Sequence, residues 1–523
     1  MNTARRFPHS LCLLACATLV GAKAFAQHAP PIDRTSAEGW RRSIERLEPK
    51  TPEGWRAAAM QDVAFVERAL LEHSPLGVAT SGAPIARALQ RAMAVARTRA
   101  AQVSTKGGYY HTLSTLSESI GDPHAAVFFS RNWNIGLAIP DTWWAGLRVR
   151  ATNGVPRVVY AAPADSALWR IGDVIQSCDG LSLDSLVALN VMPFRAPGEA
   201  DTPESRRASI PQLFLDMDNP FLRRPQQCRR MRRDSTVSDA ALTWRVRTDD
   251  DLRAIPGTTS ASSSTFGVEW AAPDVAWIRV PTFSGDPATS DQIRAIANTL
   301  REQSARLRGA RKIVFDVRGN GGGSSINGNR LIDALWSKAE LRRSGPARER
   351  TQVAWRASAG NLEFWRAFTR ERDARGAEAK EDAAFGRRVA QGLAKAIAQK
   401  QSLWIETSRG INPSVQRGAF RPSLFAATVY LLSDGACASA CLDFADRLLA
   451  MPGTRVIGAD TDGDGLLMDI RTLPMPSGLT SIAVPQKIYL NRRRGHLERY
   501  RAEVAYAGPW ADVAVKQWVI GLP

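Results

Sequence analysis

From about residue 265 onward the sequence repeats one local pattern. A short apolar, β-prone run is closed by a Gly/Ser-rich turn and followed by a helix with one apolar face. KIVFDV leads into RGNGGGSS and then a helix carrying Leu331, Leu335 and Trp336 on one side. Thr428 to Leu432 read as a buried strand broken by Ser433, Asp434 and Gly435, and Cys441, Phe444, Ala445, Leu448 and Leu449 then recur at three-four spacing. Upstream, VAWIRVPTF and DQIRAIANTLREQSARLRG make another such pair. Strands that alternate with helices imply an α/β domain with a partly parallel sheet.

The turns in this pattern carry the chemistry. Gly321, Gly322 and Gly323 have the look of a phosphate cradle, but no Lys follows the last glycine and no GxGxxG is spelled. What remains is a loop whose backbone N–H groups approach a developing negative charge at the sheet's edge. Ser439 falls at a strand-to-helix junction, where free N–H groups and the helix dipole favour an oxyanion or an attacking alkoxide. An ordinary helix N-cap is the competing reading of that serine.

At 523 residues the chain exceeds one core and divides into about three domains. Arg5 and Arg6, an apolar run from Leu11 to Val20 and Ala24-Phe25-Ala26 read as a secretory signal peptide over 1–26, with a lipoprotein cysteine at Cys16 as the secondary reading. No later run approaches the roughly 18 to 20 apolar residues of a membrane span, so a periplasmic or secreted protein is expected. Removing three cations and no acid takes the formal charge from +18 to +15. With no recognition module and an export address, the arginine excess reads as a dispersed basic surface rather than a nucleic-acid site.

Four cysteines survive processing: Cys178, Cys228, Cys437 and Cys441. In an oxidising compartment they imply two disulfides with three possible connectivities. Cys437 and Cys441 are four apart across a helix start, close enough to bridge and brace the turn holding Ser439. Free thiols, or either of this pair as the nucleophile, remain open, whereas the spacings do not suit zinc.

Residues 27–136 read as an Arg- and Ala-rich helical bundle ending in LSTLSESIGDPHAAVFF, where Gly121, Asp122 and Pro123 stop a helix and His124 opens a strand. A histidine there is by default a packed one. Residues 137–250 contain Gly172-Asp173-Val174-Ile175 and Asp179-Gly180, an order that resembles the second half of a PDZ domain, with WWAGLRV as its carboxylate-loop strand and 192–226 as an insertion. GTTSASSST, residues 257–265, is a linker. Within 265–523, residues 343–422 form a helical insertion with Trp355, Trp365 and Trp404, read as a cap.

Taken together, KIVFDVRGNGGGSS, TVYLLSDGACASACLDFADRL and TRVIGADTDGDG are similar to the C-terminal processing (tail-specific) serine peptidase family, which has a crotonase-like (ClpP/crotonase) catalytic domain. The family's DxRxNxGG signature is met at Asp316, Arg318, Asn320, Gly322 and Gly323, and CASACL resembles its nucleophile segment, which puts the nucleophile on Ser439. Where lysine-dependent members carry TFGKG, this chain has TDGDG with Asp464. The tricorn-like branch uses a histidine from a DxH segment instead, and GDPHA matches it, so the resemblance makes His124 the base. It also implies an oxyanion hole from Gly321 or Gly322 with Ala440, and an orienting carboxylate near the C-terminus. Glu503 is favoured there over Glu498 and Asp512.

The resulting expectation is an exported serine endopeptidase acting on polypeptides, engaged through their C-terminal tails, with no cofactor and no metal. A catalytically silent member that only binds tails is the alternative, motivated by the missing lysine. An α/β-hydrolase esterase lacks its GxSxG elbow. Asp460, Asp462, Asp464 and Gly465 imitate a calcium loop, but Arg471 stands at the twelfth position, so a polar turn is expected.

Overall fold

The computed structural model describes residues 37–523 apart from 79–83, 130–136, 153–154, 195–205, 208, 255–264, 338–339, 342–351, 408–426, 452, 493 and 509. The stretch read as a signal peptide, most of the linker and parts of both insertions lie outside the described residues.

A six-stranded sheet forms the centre of the C-terminal half. Gly267–Ala272 runs antiparallel to Val275–Arg279, after which Lys312–Asp316, Thr428–Ser433, Thr454–Gly458 and Val504–Ala505 follow in parallel. All five residues of Lys312–Asp316 are buried, as a parallel strand covered on both faces requires. One face is covered by helices Pro287–Glu302, Ser325–Leu335 and Ala440–Leu448, the other by helix Asp512–Gly521. Helix Pro287–Glu302 begins four residues before the stretch read as helical, because Asp286 accepts from Thr289 N–H at 2.8 Å and Pro287 fills the first helical position. The parallel strands end beside one another, which brings the glycine loop after Asp316 alongside the Ser439 loop after Ser433.

A second sheet is assembled from distant parts of the chain. Ser481–Tyr489 pairs with Val127–Phe128, Leu467–Pro474 and Gln352–Arg356, and the last pairs with Leu403–Thr407. The region read as a helical cap therefore also supplies two strands. Between them, helices Ala359–Ala374 and Lys380–Ala398 cover an aromatic cluster in which Trp355 meets Trp365 edge-on at 5.5 Å and stacks on Trp404 at 6.2 Å.

The other face of Ser481–Tyr489 packs on the N-terminal helices. Val63, Val66 and Leu70 of Pro52–His73, Leu89 and Met93 of Pro84–Ala100 and Leu113 of Lys106–Ile120 share a core with Ile482 and Val484. Asp62, pushed up to about 6 by burial, accepts from Tyr109 Oη and from Ser477 Oγ at 2.5 Å each and pins the helices to the hairpin at 475–480.

Between these parts, residues 147–241 form an antiparallel sheet of Leu147–Thr152, Val155–Ala161, Val174–Cys178, Gln227–Met231 and Val237–Ala241, with Leu181–Ser182 beside Val174–Cys178. Helix Leu183–Asn190 covers its core. Trp143–Trp144 belongs to a separate small sheet with Leu215–Asp216 and Arg245–Val246. Of the three connectivities, the chain forms Cys178–Cys228, between facing positions of neighbouring strands, and Cys437–Cys441. Neither Cys437 nor Cys441 is then a free nucleophile.

Candidate active site

Ser439 lies at the junction just before helix Ala440–Leu448, with φ 51° and ψ −123°. A non-glycine residue in that conformation is strained, and such strain is found where the surroundings enforce it. Its hydroxyl makes no capping hydrogen bond, although its carbonyl accepts from Leu442 and Asp443 N–H. The plain N-cap reading therefore does not describe this serine. The Cys437–Cys441 bridge spans it, with α-carbons 5.3 Å apart and both sulfurs buried.

His124 reaches the same place from a different direction. Helix Lys106–Ile120 ends at Gly121, whose φ of 74° is the left-handed C-cap conformation. Three residues after His124 the chain joins the second sheet, with Val127 opposite Ile482 and Ala126 accepting from Ala483 N–H at 2.8 Å. Held at both ends, the loop puts His124 Nε2 3.4 Å from Ser439 Oγ, across 315 residues of sequence.

Two carboxylates face the other ring nitrogen. Asp122 Oδ1 is 3.2 Å from Nδ1 and accepts from the His124 backbone N–H at 3.0 Å, while Asp464 Oδ1 is 3.5 Å from Nδ1. Asp122 is fixed by a bond from Leu467 N–H to its Oδ2, and Gly465 leaves it room, since a Cβ there would stand 1.8 Å from Asp122 Oδ2. Burial disfavours the imidazolium, but Asp464, then the hydrogen bond and charge of Asp122, and Asp469 outweigh it and push His124 up to about 9. Burial pushes the Asp464 carboxyl up as well, opposed by His124, Arg492 and Arg494. With Nδ1 between carboxylates, the proton of the neutral ring belongs on Nδ1, leaving Nε2 as an acceptor toward Ser439.

Glu503, expected to orient the imidazole, is elsewhere. It lies at the edge of the central sheet, half exposed, with Arg455 Nε 3.9 Å from its Oε2, because strand Val504–Ala505 extends that sheet beyond Thr454–Gly458. Glu498 accepts from Gly495 N–H within its own turn. Asp512 binds Arg279 and Arg318 at 2.7 and 2.8 Å. Spacing from the C-terminus carried no information on which carboxylate meets the ring. A local signal did exist for Asp122: an aspartate two residues before another residue readily accepts its backbone N–H.

The glycine loop is set by the DxRxN residues. Asp316 is buried and accepts from Arg318, Arg279 and Trp277. Asn320 donates to Val280 O at 2.9 Å and accepts from Gly322 N–H at 2.9 Å. That bond engages one of the two glycine N–H groups expected to face an oxyanion. Among the described residues, the N–H groups of Gly321 and Ala440 take no hydrogen-bond partner. Gly322 lies directly against the Ser439 turn: a Cβ there would be 2.8 Å from Ser439 Cβ and 2.9 Å from Ala440 N. Asp434 ties the two loops together by accepting from Gly319 and Ala436 N–H.

The imitation calcium loop is spread over separate partners. Asp460 accepts from Arg501 and Ala502, Asp462 from Gly463, and Asp464 faces His124.

Residues 274–504 match Peptidase family S41, a span that holds Ser439, Asp464 and the glycine loop but not His124. No curated protein sequence matches the chain. Among solved structures, mature CPAF complexed with lactacystin is similar at 15% identity and a TM-score of 0.51, over 89% of this chain and 96% of that one. A second structure of mature CPAF gives 14% identity and 0.50 over 89% and 95%. At these identities the likeness is one of fold, and it extends through both halves of the chain.

Proposed function

We propose that the chain is an exported serine peptidase of family S41 that hydrolyses peptide bonds through Ser439 and His124. The observation that carries the proposal is the 3.4 Å approach of His124 Nε2 to Ser439 Oγ, with carboxylate oxygens on Nδ1. A hydroxyl needs a base within hydrogen-bond reach to attack an amide. Ser439 Oγ adds to the scissile carbonyl as Nε2 takes its proton. The tetrahedral oxyanion is met by Gly321 and Ala440 N–H, a kind of donor worth about 3 to 4 kcal/mol. His124 then protonates the leaving amine, and water, deprotonated by the same nitrogen, releases the acyl group. Asp122 holds the ring, seconded by Asp464, in the role the sequence assigned to Glu503. A histidine base of this kind fits the tricorn-like branch, and Asp464 in place of lysine then costs no activity.

The substrate in this reading is a polypeptide, and the PDZ-like module at 137–250 is its tail-binding element, between the helical region at 27–136 and the crotonase-like catalytic domain at 265–523. The test is labelling by a fluorophosphonate probe together with cleavage of an unfolded polypeptide. Both activities should vanish in Ser439→Ala and fall at least about 10³-fold in His124→Ala. Labelling that persists in Ser439→Ala sinks the assignment, and a wild type that binds polypeptide without labelling or cutting it establishes a silent binder.

A further inference from the structure

Behind the serine–histidine pair lies a buried cluster of charges whose centre is an arginine outside the reacting groups. Arg492, 4% exposed in its side chain, follows strand Ser481–Tyr489. Its Nη2 binds Asp443 Oδ1 and, at 3.0 Å, Asp446 Oδ2, both on the helix that begins after Ser439. Its Nη1 is 4.0 Å from Asp464 Oδ2. Those last two atoms are buried and have no hydrogen-bond partner among the described residues. Opposite charges held out of water are strongly coupled, because little solvent screens them. The opposite end of Asp443 accepts from Ser325 Oγ at 2.6 Å, and Ser325 opens the helix after the glycine loop.

Resting on the serine–histidine reading above, we propose that Arg492 is a positioning residue for the reaction. Its guanidinium ties the nucleophile helix, and through Asp443 the oxyanion loop, to the Asp464 carboxylate behind His124. One side chain thereby links the helix after Ser439, the helix after the glycine loop and the carboxylate behind His124. The fork of an arginine suits this, since one arm can hold the helix while the other faces the base.

His124 faces Asp122 on its own loop, Asp464 on the loop before Leu467–Pro474, and Asp469 on that strand. Asp469 is itself paired with Lys487 at 2.5 Å. Asp464 faces Arg492 and Arg494, and Arg494 binds Asp446 at 3.1 Å. Tyr489 stacks under Arg492 at 4.6 Å, and Tyr500 donates to Asp446. Arg492 thus offsets Asp464 without touching His124. Its loss strengthens the negative field on the imidazole, so the neutral ring that serves as base appears at higher pH.

The test uses Arg492→Met combined with Asp443→Asn, which removes the helix carboxylate together with its arginine, while Asp446 keeps Arg494 and Tyr500 and Asp464 is left facing His124 and Arg494. The readout is the rate of fluorophosphonate labelling between about pH 5 and 10. The ascending limb should move up by about half a unit in the double variant, the lost Asp443 charge cancelling part of the effect of the lost arginine, and by less than about 0.2 unit in Arg492→Lys, which keeps the charge. A purely structural arginine would lower the melting temperature and leave the limb in place. A folded double variant whose limb coincides with the wild type's overturns the proposal. Should the double variant not fold, Arg492→Lys alone should slow labelling about threefold or more in the wild-type background and not at all in Asp464→Asn. Equal slowing in both backgrounds overturns the proposal. Labelling that survives Ser439→Ala refutes the nucleophile itself, an outcome distinct from an immobile limb.

Discussion

Replacing Gly322 by alanine adds one methyl group where the structure has least room for it. The φ of 102° is one an L-residue adopts only under strain of about 1 to 2 kcal/mol. The new Cβ would also lie 2.6 Å from Ala438 O, 2.8 Å from Ser439 Cβ and 2.9 Å from Ala440 N. None of these is the far end of a flexible side chain, so the loop or the nucleophile turn must move, at a further cost of about 1 to 3 kcal/mol. Under the proposed mechanism, displacing Ala440 N–H from the oxyanion should lower kcat by about 10²- to 10³-fold. Gly376→Ala separates strain from contact, because Gly376 has a φ of 73° and nothing within 4 Å of a Cβ. It should lose about 1 kcal/mol of stability and no activity. The assay is steady-state cleavage of a fluorogenic peptide alongside thermal melts. A folded Gly322→Ala variant that cleaves within about threefold of wild type would show that this glycine does not border the reacting atoms.

Asp464→Asn should shift the ascending limb of activity to lower pH by about one unit or more, because Asp464 is the largest of the influences that raise His124 from 6.5 to about 9; a limb that stays put means the carboxyl is neutral in the folded protein. The same displacement, about 3 kcal/mol at 1.4 kcal/mol per unit, is stability present below pH 6.5 and lost as pH rises through about 9, measurable as a falling denaturation midpoint across that window in the wild type and a smaller fall in the variant. Lys312→Met should destabilise by about 2 to 4 kcal/mol, read by urea unfolding, since the buried ammonium donates to Val519 O, Ile520 O and Leu522 O at the end of the last helix. Replacing Cys178 and Cys228 by alanine opens a loop of 50 residues and should cost up to about 4 kcal/mol, whereas replacing Cys437 and Cys441, only 4 apart, should cost about half that and show mainly as lost labelling of Ser439.

The legible parts of this molecule were those encoded in contiguous residues. The strand–turn–helix units around Lys312–Asp316 and Thr428–Ser433 could be read because burial on both faces leaves an uninterrupted apolar run, and the turn residues mark its end. The helix stop at Gly121 could be read from its Gly-Asp-Pro. What could not be read depends on register between distant strands. In the sequence Asp464 stands out only as a residue where related chains carry lysine, yet its place beside His124 follows from Val127 pairing with Ile482 and Leu467 N–H reaching Asp122. The strands at 352–356 and 403–407 were hidden among helical neighbours, because their pairing partner is Ser481–Tyr489, far along the chain. Which glycine N–H stays available was decided by the Asn320 side chain, a contact that spacing alone does not express.

The two-residue pairing of Val127–Phe128 with Ser481–Tyr489 has a consequence for biosynthesis. Under the proposed chemistry, acid–base partner and nucleophile leave the ribosome 315 residues apart and can meet only after the last third of the polypeptide has closed the sheet around the first. A chain truncated before Ser481 would therefore lack the strand that seats the histidine loop, and with it the acid–base pair.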